Sequence, residues 1–270
     1  MALARALPST FSQGISEHQS DDHSASLNMT LATQQHESYI KALRSIIPVL
    51  QLPALPEYPD SLFVEDTVVA IDRQVALLQP GHPSRRGEVE SVHQALQQLG
   101  MQVVADLRNN TPDAYCDGGD VMYTGRHLFI GLSNRTNRIG AQLLQQAFPA
   151  IPSIVIPPTM AGNQVLHLKS AVTLFAPDTL VVPTGPAGDA IWATFDAYNY
   201  SVVRVPDVLA CNVVAVNGSV LVQDTSCTDS RRILEQAARE RDVQELIWVN
   251  TSELAKKDAA LTCCSVLLNI

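Results

Sequence analysis

Short apolar runs rich in Val, Ile and Leu alternate along this chain with stretches that have helical spacing. Apolar side chains recur at helical intervals over residues 88–99, which end at Gly100, a suitable helix cap. Residues 138–148 and 231–241 have the same spacing. The strand-like runs come in pairs joined by turns, one of them at the strong hairpin signal Asn217-Gly218. The pattern predicts an α/β fold.

The strand-like pairs recur as five units, the last of which ends the chain. Each unit has a polar residue at the start of an apolar strand, and successive positions are 54, 49, 43 and 51 residues apart: Asp66, Asp120, Lys169, Asn212 and Cys263. Repeats of this size indicate a closed radial array, in which the five strand starts converge on one axis. Any α/β protein alternates helices with strands, so the recurring polar residue is what favours the radial arrangement.

Composition supports a folded protein without a membrane span. Of the 270 residues, 46% are hydrophobic and 17% charged, enough for a large core in one domain or two. No apolar run reaches the roughly 18 to 20 residues that span a bilayer. A net charge of −9 disfavours nucleic acid and anionic membranes as partners.

Two polar or atypical segments lie near the start of the chain. Residues 1–8 are interpreted as an early strand in preference to a transit peptide. Residues 16–37 are interpreted as a mobile loop that leads into a helix reaching about residue 47. This loop is either a lid over a site or an ordinary surface loop.

The chain has five cysteines, two of them adjacent, and no CxxC motif. Neighbouring cysteines in a strand point to opposite faces, so Cys263 and Cys264 are not expected to pair. We therefore expect a reducing compartment, with neither a disulfide framework nor a structural zinc site.

Cys263 and His167 are the candidate nucleophile and general acid–base, because both lie at strand starts in the five-unit scheme. Each has a simpler alternative. A cysteine in a C-terminal strand is commonly a small buried apolar residue, and a lone core histidine commonly donates to the backbone.

Acidic residues also collect at these strand starts: Asp60, Glu65, Asp66, Asp117, Asp120 and Asp258. Converging buried carboxylates need a cationic partner, since burial alone would raise their pKa values. No metal-ligand pattern is evident, so a cationic substrate is an economical partner. Arg85 and Arg135 could bind a substrate carboxylate, or could form surface ion pairs.

At these residues the sequence resembles the dimethylarginine dimethylaminohydrolases, which belong to the guanidino-group modifying (pentein) superfamily. The resemblance covers nearly the whole chain and depends on the order and spacing of short motifs: Arg5-Ala6-Leu7-Pro8, Pro59-Asp60, Phe63-Val64-Glu65-Asp66, Pro83-Ser84-Arg85-Arg86, Asp117-Gly118-Gly119-Asp120-Val121, Gly131-Leu132-Ser133-Asn134-Arg135-Thr136-Asn137, Leu166-His167-Leu168-Lys169-Ser170 and Leu261-Thr262-Cys263-Cys264-Ser265-Val266-Leu267.

The resemblance implies a five-bladed α/β propeller, formed here by a single domain over residues 1–270. By position, Cys263 matches the nucleophile, His167 the acid–base and Asp117 the carboxylate that orients the histidine. The acids that hold the guanidinium match Asp66 and Asp258. The family's other substrate contacts match Asp60, Glu65, Arg85 and Arg135. Lys257 stands where the family uses a backbone carbonyl.

The activity that the resemblance implies is cytoplasmic hydrolysis of an Nω-methylated arginine to citrulline and a methylamine, through a thiouronium intermediate. No cofactor is implied, although zinc could bind Cys263 and His167 as an inhibitor. The substrate is a small amino acid, and neither nucleic acid nor a membrane is an expected partner.

Two departures from the family pattern leave other substrates open. Ala259-Ala260 stands where relatives commonly have Gly-Leu, and residues 16–37 are longer and more polar than the usual lid. The alternatives are hydrolysis of citrulline to ornithine, ammonia and carbon dioxide, deimination of arginine, and a catalytically silent sensor of arginine-like ligands.

Overall fold

The computed structural model describes residues 1–16, 27–109, 112–157 and 166–270. Its helices are α1 Met29–Arg44, α2 Val89–Gln98, α3 Arg138–Ala147, α4 Gly185–Phe195, α5 Thr228–Glu240 and α6 Ser252–Ala255. Its strands are β1 Ala2–Arg5, β2 Val49–Leu52, β3 Val68–Ile71, β4 Gln74–Leu77, β5 Gln102–Asp106, β6 Val121–Tyr123, β7 Leu128–Gly131, β8 Ser153–Ile156, β9 Thr173–Ala176, β10 Thr179–Pro183, β11 Ser201–Val205, β12 Val213–Val216, β13 Ser219–Gln223, β14 Glu245–Val249 and β15 Ser265–Leu267.

These strands form five three-stranded sheets, and each sheet is one blade of the predicted α/β propeller. Four blades follow the chain: β3-β4-β5, β6-β7-β8, β9-β10-β11 and β12-β13-β14. In each, an antiparallel hairpin is followed by a strand parallel to its middle strand. In the fifth blade, C-terminal β15 pairs antiparallel with N-terminal β1, which pairs parallel with β2. The early strand predicted in residues 1–8 is therefore confirmed.

The innermost strand of each blade is shorter than predicted, because its first residues form a 3₁₀ turn. The five turns are Val64–Thr67, Gly118–Asp120, Leu168–Ser170, Val208–Cys211 and Thr262–Cys264. They contain or directly precede all five recurring polar residues. Side-chain bonds to backbone groups hold such turns in place of a strand ladder.

Polar side chains of these turns link one blade to the next. Asp66 accepts a hydrogen bond from the Gly119 N–H at 2.9 Å, and Asp120 accepts one from the Leu168 N–H at 2.9 Å. Asn212 accepts from the Thr262 N–H at 3.0 Å and donates to the Lys169 carbonyl at 2.9 Å. The recurring polar residues thus satisfy buried backbone groups of neighbouring blades.

The hydrophobic pattern did not indicate the outer strands or α4. The outer strands β2, β5, β8, β11 and β14 are only partly buried, so their sequences lack a clear alternation. Helix α4 begins Gly185-Pro186, residues typical of a turn. Proline is nevertheless tolerated in the first helical turn, where its missing N–H is not needed.

The predicted loop at residues 16–37 needs a correction. Residues 17–26 lie outside the described residues, and the helix begins at Met29, well before residue 37. Asn28 caps α1 by accepting a hydrogen bond from the Leu31 N–H at 3.0 Å. Gln35 and His36 are buried in α1, and these polar side chains on the inner face disguised its helical pattern.

Helix α1 packs on the closing strand β15 through a buried polar contact. The Tyr39 hydroxyl lies 2.8 Å from the Ser265 hydroxyl, two residues after Cys263. Apolar residues of α1 and β1 surround it in one core cluster. No helix in the described ranges is long and apolar enough to cross a membrane.

We expect Tyr39→Phe to lower the free energy of unfolding by about 1 to 2 kcal/mol, because it leaves the buried Ser265 hydroxyl without its partner. Urea unfolding of Tyr39→Phe, Ser265→Ala and the double variant measures the coupling. Strictly additive losses would show that the two hydroxyls do not stabilise each other.

Candidate active site

One small cavity near the propeller axis collects nearly all the predicted site residues. Nine of the ten line it, together with three residues that had no predicted role in the site: Asp60, Asp66, Arg85, Asp117, Arg135, His167, Lys257, Asp258 and Cys263, with Ile15, Phe63 and Leu166. A second cavity, of about 600 Å³, is lined by Glu65, Gly118 and Thr262. Because these residues are sequence neighbours of Asp66, Asp117 and Cys263, the layer of turns separates the two cavities.

Cys263 lies in the last 3₁₀ turn, directly before β15, and is partly exposed. Burial of the sulfur raises the pKa of the Cys263 thiol well above its usual value, and the carboxylates of Glu65 and Asp66 raise it further. The thiol is therefore neutral at pH 7 while no cation is bound beside it.

His167 is buried next to Asp117, with Nε2 at 3.1 Å from Oδ2 of the carboxylate. Burial lowers the pKa of His167, but the charges of Asp66 and Asp120 and the hydrogen bond to Asp117 outweigh it and raise the pKa to about 9. The imidazole is therefore protonated at neutral pH and can act as a general acid.

Gly119 provides the space that the imidazole occupies. A Cβ at this position would lie 2.6 Å from His167 Nδ1 and 2.7 Å from Cγ. The Gly119 N–H also donates to Asp66, so the glycine contacts two site residues at once. Glycine at position 119 therefore allows the His167 ring to lie directly against the backbone of this turn.

Asp66 is held as a charged carboxylate by Arg85. Burial alone would raise the pKa of Asp66, but His167 and Arg85 lower it below its usual value. Arg85 Nη1 donates to Asp66 at 2.7 Å, and its Nε and Nη2 donate to Glu88 at 3.1 and 2.9 Å. Its Nη2 also donates to the Asp60 and Phe63 carbonyls, so Arg85 has little donor capacity left for a ligand. Glu88 was missed, although its i,i+3 spacing from Arg85 was a usable signal.

Glu65 is the predicted contact that the structure places outside the cavity. Its carboxylate accepts hydrogen bonds from Lys169 Nζ at 2.5 Å and from the Thr262 hydroxyl at 2.9 Å. Asn212 donates to the same Thr262 hydroxyl. Glu65 therefore belongs to a polar cluster on the axis, at the layer that separates the two cavities.

The N-terminal loop closes the Asp60 side of the cavity. The Ile15 N–H donates to both oxygens of the Asp60 carboxylate, at 3.1 and 3.2 Å. Lys257 Nζ donates to the Gly14 carbonyl at 2.9 Å, so its side chain ties this loop to the loop before Cys263. The sequence suggested a role only for the Lys257 backbone, and nothing in the residue type of Ile15 marked it as a site residue.

Asp66, Asp117 and His167 place potential ligand atoms within 4.8 Å of one another. Protein partners account for the oxygens: Asp66 accepts from Gly119 and Arg85, while Asp117 accepts from the Gly81 N–H and bonds His167. Each of these oxygens therefore already has a protein partner. Cys263 is not part of this trio, and inhibitory zinc at Cys263 and His167 stays a prediction.

We expect Gly119→Ala to lower kcat about 100-fold. The added methyl group would displace the imidazole, and a displacement of about 1 Å in a catalytic group costs about 100-fold in rate. Steady-state kinetics and the histidine NMR signals measure the effect. Gly100→Ala is the control: Gly100 has φ +68° and lies outside the cavity. It should cost about 1 kcal/mol of stability and leave kcat unchanged. Normal kcat in Gly119→Ala would contradict the packing role.

Comparison with known proteins agrees with this geometry. The family model described as N,N dimethylarginine dimethylhydrolase, eukaryotic, matches residues 10–247. The chain is 32% identical to the dimethylarginine dimethylaminohydrolase of Streptomyces coelicolor over 88% of this chain and 86% of that protein. It is 29% identical to the Pseudomonas aeruginosa enzyme over 87% of both chains.

Solved structures resemble the whole fold. A dimethylarginine dimethylaminohydrolase in an adduct with S-methyl-L-thiocitrulline has a TM-score of 0.83 and 25% identity over 98% of both chains. A cysteine-to-serine variant of the Pseudomonas aeruginosa enzyme, in complex with citrulline, has the same score and identity over 98% of this chain and 97% of that one. The N-terminal domain of a cyanobacterial arginine dihydrolase shares the fold, with a TM-score of 0.81 at 17% identity over 100% and 98% of the two chains. This chain belongs to the dimethylarginine dimethylaminohydrolase family.

Proposed function

We propose that this protein hydrolyses Nω-methylated arginine to citrulline and methylamine or dimethylamine, with Cys263 as nucleophile and His167 as general acid and base. The observation that carries the proposal is a single cavity that Cys263 lines together with carboxylates and with His167, which is hydrogen-bonded to Asp117. The carboxylates around it raise the pKa values of the Cys263 thiol and of His167. Such a site lacks a thiolate until a cation enters it, and a guanidinium is that cation.

Substrate binding activates the nucleophile. A guanidinium between Asp66 and Asp258 offsets the carboxylates that raise the pKa of the Cys263 thiol, so the thiol loses its proton to water. Arg135 and Arg85 line the same cavity and suit the α-carboxylate, while Asp60 suits the α-ammonium. Binding thus holds the guanidinium carbon beside the sulfur.

The reaction then proceeds in two halves. The Cys263 thiolate adds to the guanidinium carbon, and the bond to the methylated nitrogen breaks as His167 gives that nitrogen its proton. Methylamine or dimethylamine leaves, and a thiouronium remains on the sulfur. Neutral His167 then takes a proton from water as the oxygen adds to the same carbon. The C–S bond breaks as the new hydroxyl group loses its proton to solvent. Citrulline and the thiolate are released.

The same electrostatics disfavour citrulline as the substrate. A ureido group is neutral, so it cannot offset the carboxylates that keep the Cys263 thiol protonated. Arginine is also cationic and stays a second candidate substrate. It differs from Nω-methylated arginine only in lacking the methyl groups. An intact Cys263, His167 and Asp117 argue against a silent sensor.

We also propose that residues 1–270 act as one catalytic domain in a reducing compartment such as the cytoplasm. The pairing of β1 with β15 supports one domain, because the two ends of the chain complete a single blade. Five free cysteines support a reducing compartment. The partner is a small amino acid, and no cofactor takes part in these steps.

We expect Cys263→Ser to lower turnover of asymmetric dimethylarginine by about 1000-fold or more, as loss of a nucleophile does. Citrulline, ornithine and ammonia released from asymmetric dimethylarginine, arginine and citrulline are the measured products. Cys264→Ser is the matched control, since Cys264 is buried in the core next to the nucleophile. It should cost stability and keep turnover within about threefold. Ornithine formed from citrulline, without citrulline from dimethylarginine, would refute the proposed substrate.

The pH dependence tests the role of His167. We expect kcat/KM to fall above about pH 9, where His167 loses the proton that it donates. Asp117→Asn removes a negative charge that stabilises the imidazolium, so the alkaline limb should move to lower pH. Asp106→Asn, in an ion pair with Arg108 outside the cavity, should leave the limb in place. An unshifted limb in Asp117→Asn would contradict the assignment.

A further inference from the structure

A third cavity, of about 190 Å³, adjoins the candidate active site. Leu166 and Asp258 line both cavities, and Leu166 precedes His167 in the chain. Neither Arg85 nor Arg135 lines the third cavity. It therefore lies on the side of the active site formed by Asp258 and by the residue before His167, the groups assigned to the guanidinium and to the leaving nitrogen.

Small side chains leave this cavity open. Ala255, Ala259 and Ala260, in and after α6, form one wall, and none of them extends beyond a methyl group. Val208 and Leu209 line it as well and are 38% and 44% exposed, so the cavity reaches the surface. An apolar group could enter without displacing a large side chain.

Gln223 gives this cavity a polar group that lacks a partner. Its residue is 2% exposed and lines the cavity at the end of β13. Its side-chain oxygen has no hydrogen-bond donor in the part of the chain that the structure describes. Leaving a buried amide oxygen unpaired is unfavourable, and a ligand with a donor would relieve this once the amide turns its oxygen toward the cavity. The terminal torsion of glutamine rotates easily, so the amide can present its oxygen or its NH₂ to the cavity.

We infer that this cavity is a subsite for the substituent on the guanidine nitrogen that leaves, and that it accepts short chains longer than methyl which end in a hydroxyl group. The inference rests on the proposed function of Cys263 and His167. His167 gives its proton to the leaving nitrogen, and Leu166 joins that side of the active site to the third cavity. The chain would lie against the alanines, with its hydroxyl on Gln223 and Ser170.

Three substrates test the subsite: asymmetric dimethylarginine, Nω-propylarginine and Nω-(2-hydroxyethyl)arginine. The last two differ mainly in the terminal hydroxyl. We expect the protein to turn over both longer substrates and to favour the hydroxyethyl compound about fivefold in kcat/KM, the effect of one hydrogen bond.

Two variants separate the polar and the steric contributions. Gln223→Leu should abolish the preference for hydroxyethyl over propyl and leave dimethylarginine within about twofold. Ala255→Leu fills part of the cavity and should lower kcat/KM for both longer substrates about tenfold. Gln236→Leu and Ala193→Leu make the same changes on exposed helix surfaces, and they should alter none of the three.

The outcomes distinguish the subsite from the proposed function. Turnover of dimethylarginine alone by the unaltered protein would overturn the subsite and keep the proposed function. Equal losses for all three substrates in Gln223→Leu and Ala255→Leu would also overturn it, since a positioning effect would then explain both variants. No turnover of any of the three by the unaltered protein would overturn both ideas.

Discussion

Hydrogen bonds from side chains of one blade to the backbone of the next hold the centre of this propeller together. Asp66 binds the Gly119 N–H, Asp120 binds the Leu168 N–H, and Asn212 binds the turn that carries Thr262. The innermost strands begin in short turns, so their backbone groups cannot all pair within their own sheets. The polar residues that close the ring are therefore the ones that bring the candidate catalytic groups to the axis.

This arrangement gives Asp66 three functions. The same carboxylate fixes the neighbouring turn, pairs with Arg85, and raises the pKa values of both Cys263 and His167. A site with a neutral thiol and a protonated imidazole is inactive until a cation enters. In the proposed mechanism, selectivity for a guanidinium thus follows from the electrostatics of the fold.

Much of the fold and the site could be predicted from the sequence. The five blades repeat one structural unit, so polar residues recur at equivalent positions of the sequence. This spacing correctly predicted equivalent turns for five residues: Asp66, Asp120, Lys169, Asn212 and Cys263. The Asn217-Gly218 hairpin formed as predicted, with φ of 49° and 77° at its two residues. The outer strands were not predicted, because their residues are mostly partly exposed and do not alternate clearly between apolar and polar. The helical part of residues 16–37 was missed because Gln35 and His36 are buried among apolar residues.

By itself, the sequence determined the residue types, their order and their repeat, which was enough to indicate a five-unit array with Cys263 and His167 at its centre. Only the tertiary structure decided which side of the turn layer each side chain faces. Glu65 and Asp66 are adjacent, yet Glu65 binds Lys169 on the axis and Asp66 lines the candidate active-site cavity. Lys257 contacts Gly14 and Ile15 contacts Asp60, in each case more than 20 residues away along the chain. Gln223 lines a cavity that distant segments form together. Such contacts depend on packing across blades, which local sequence patterns do not encode.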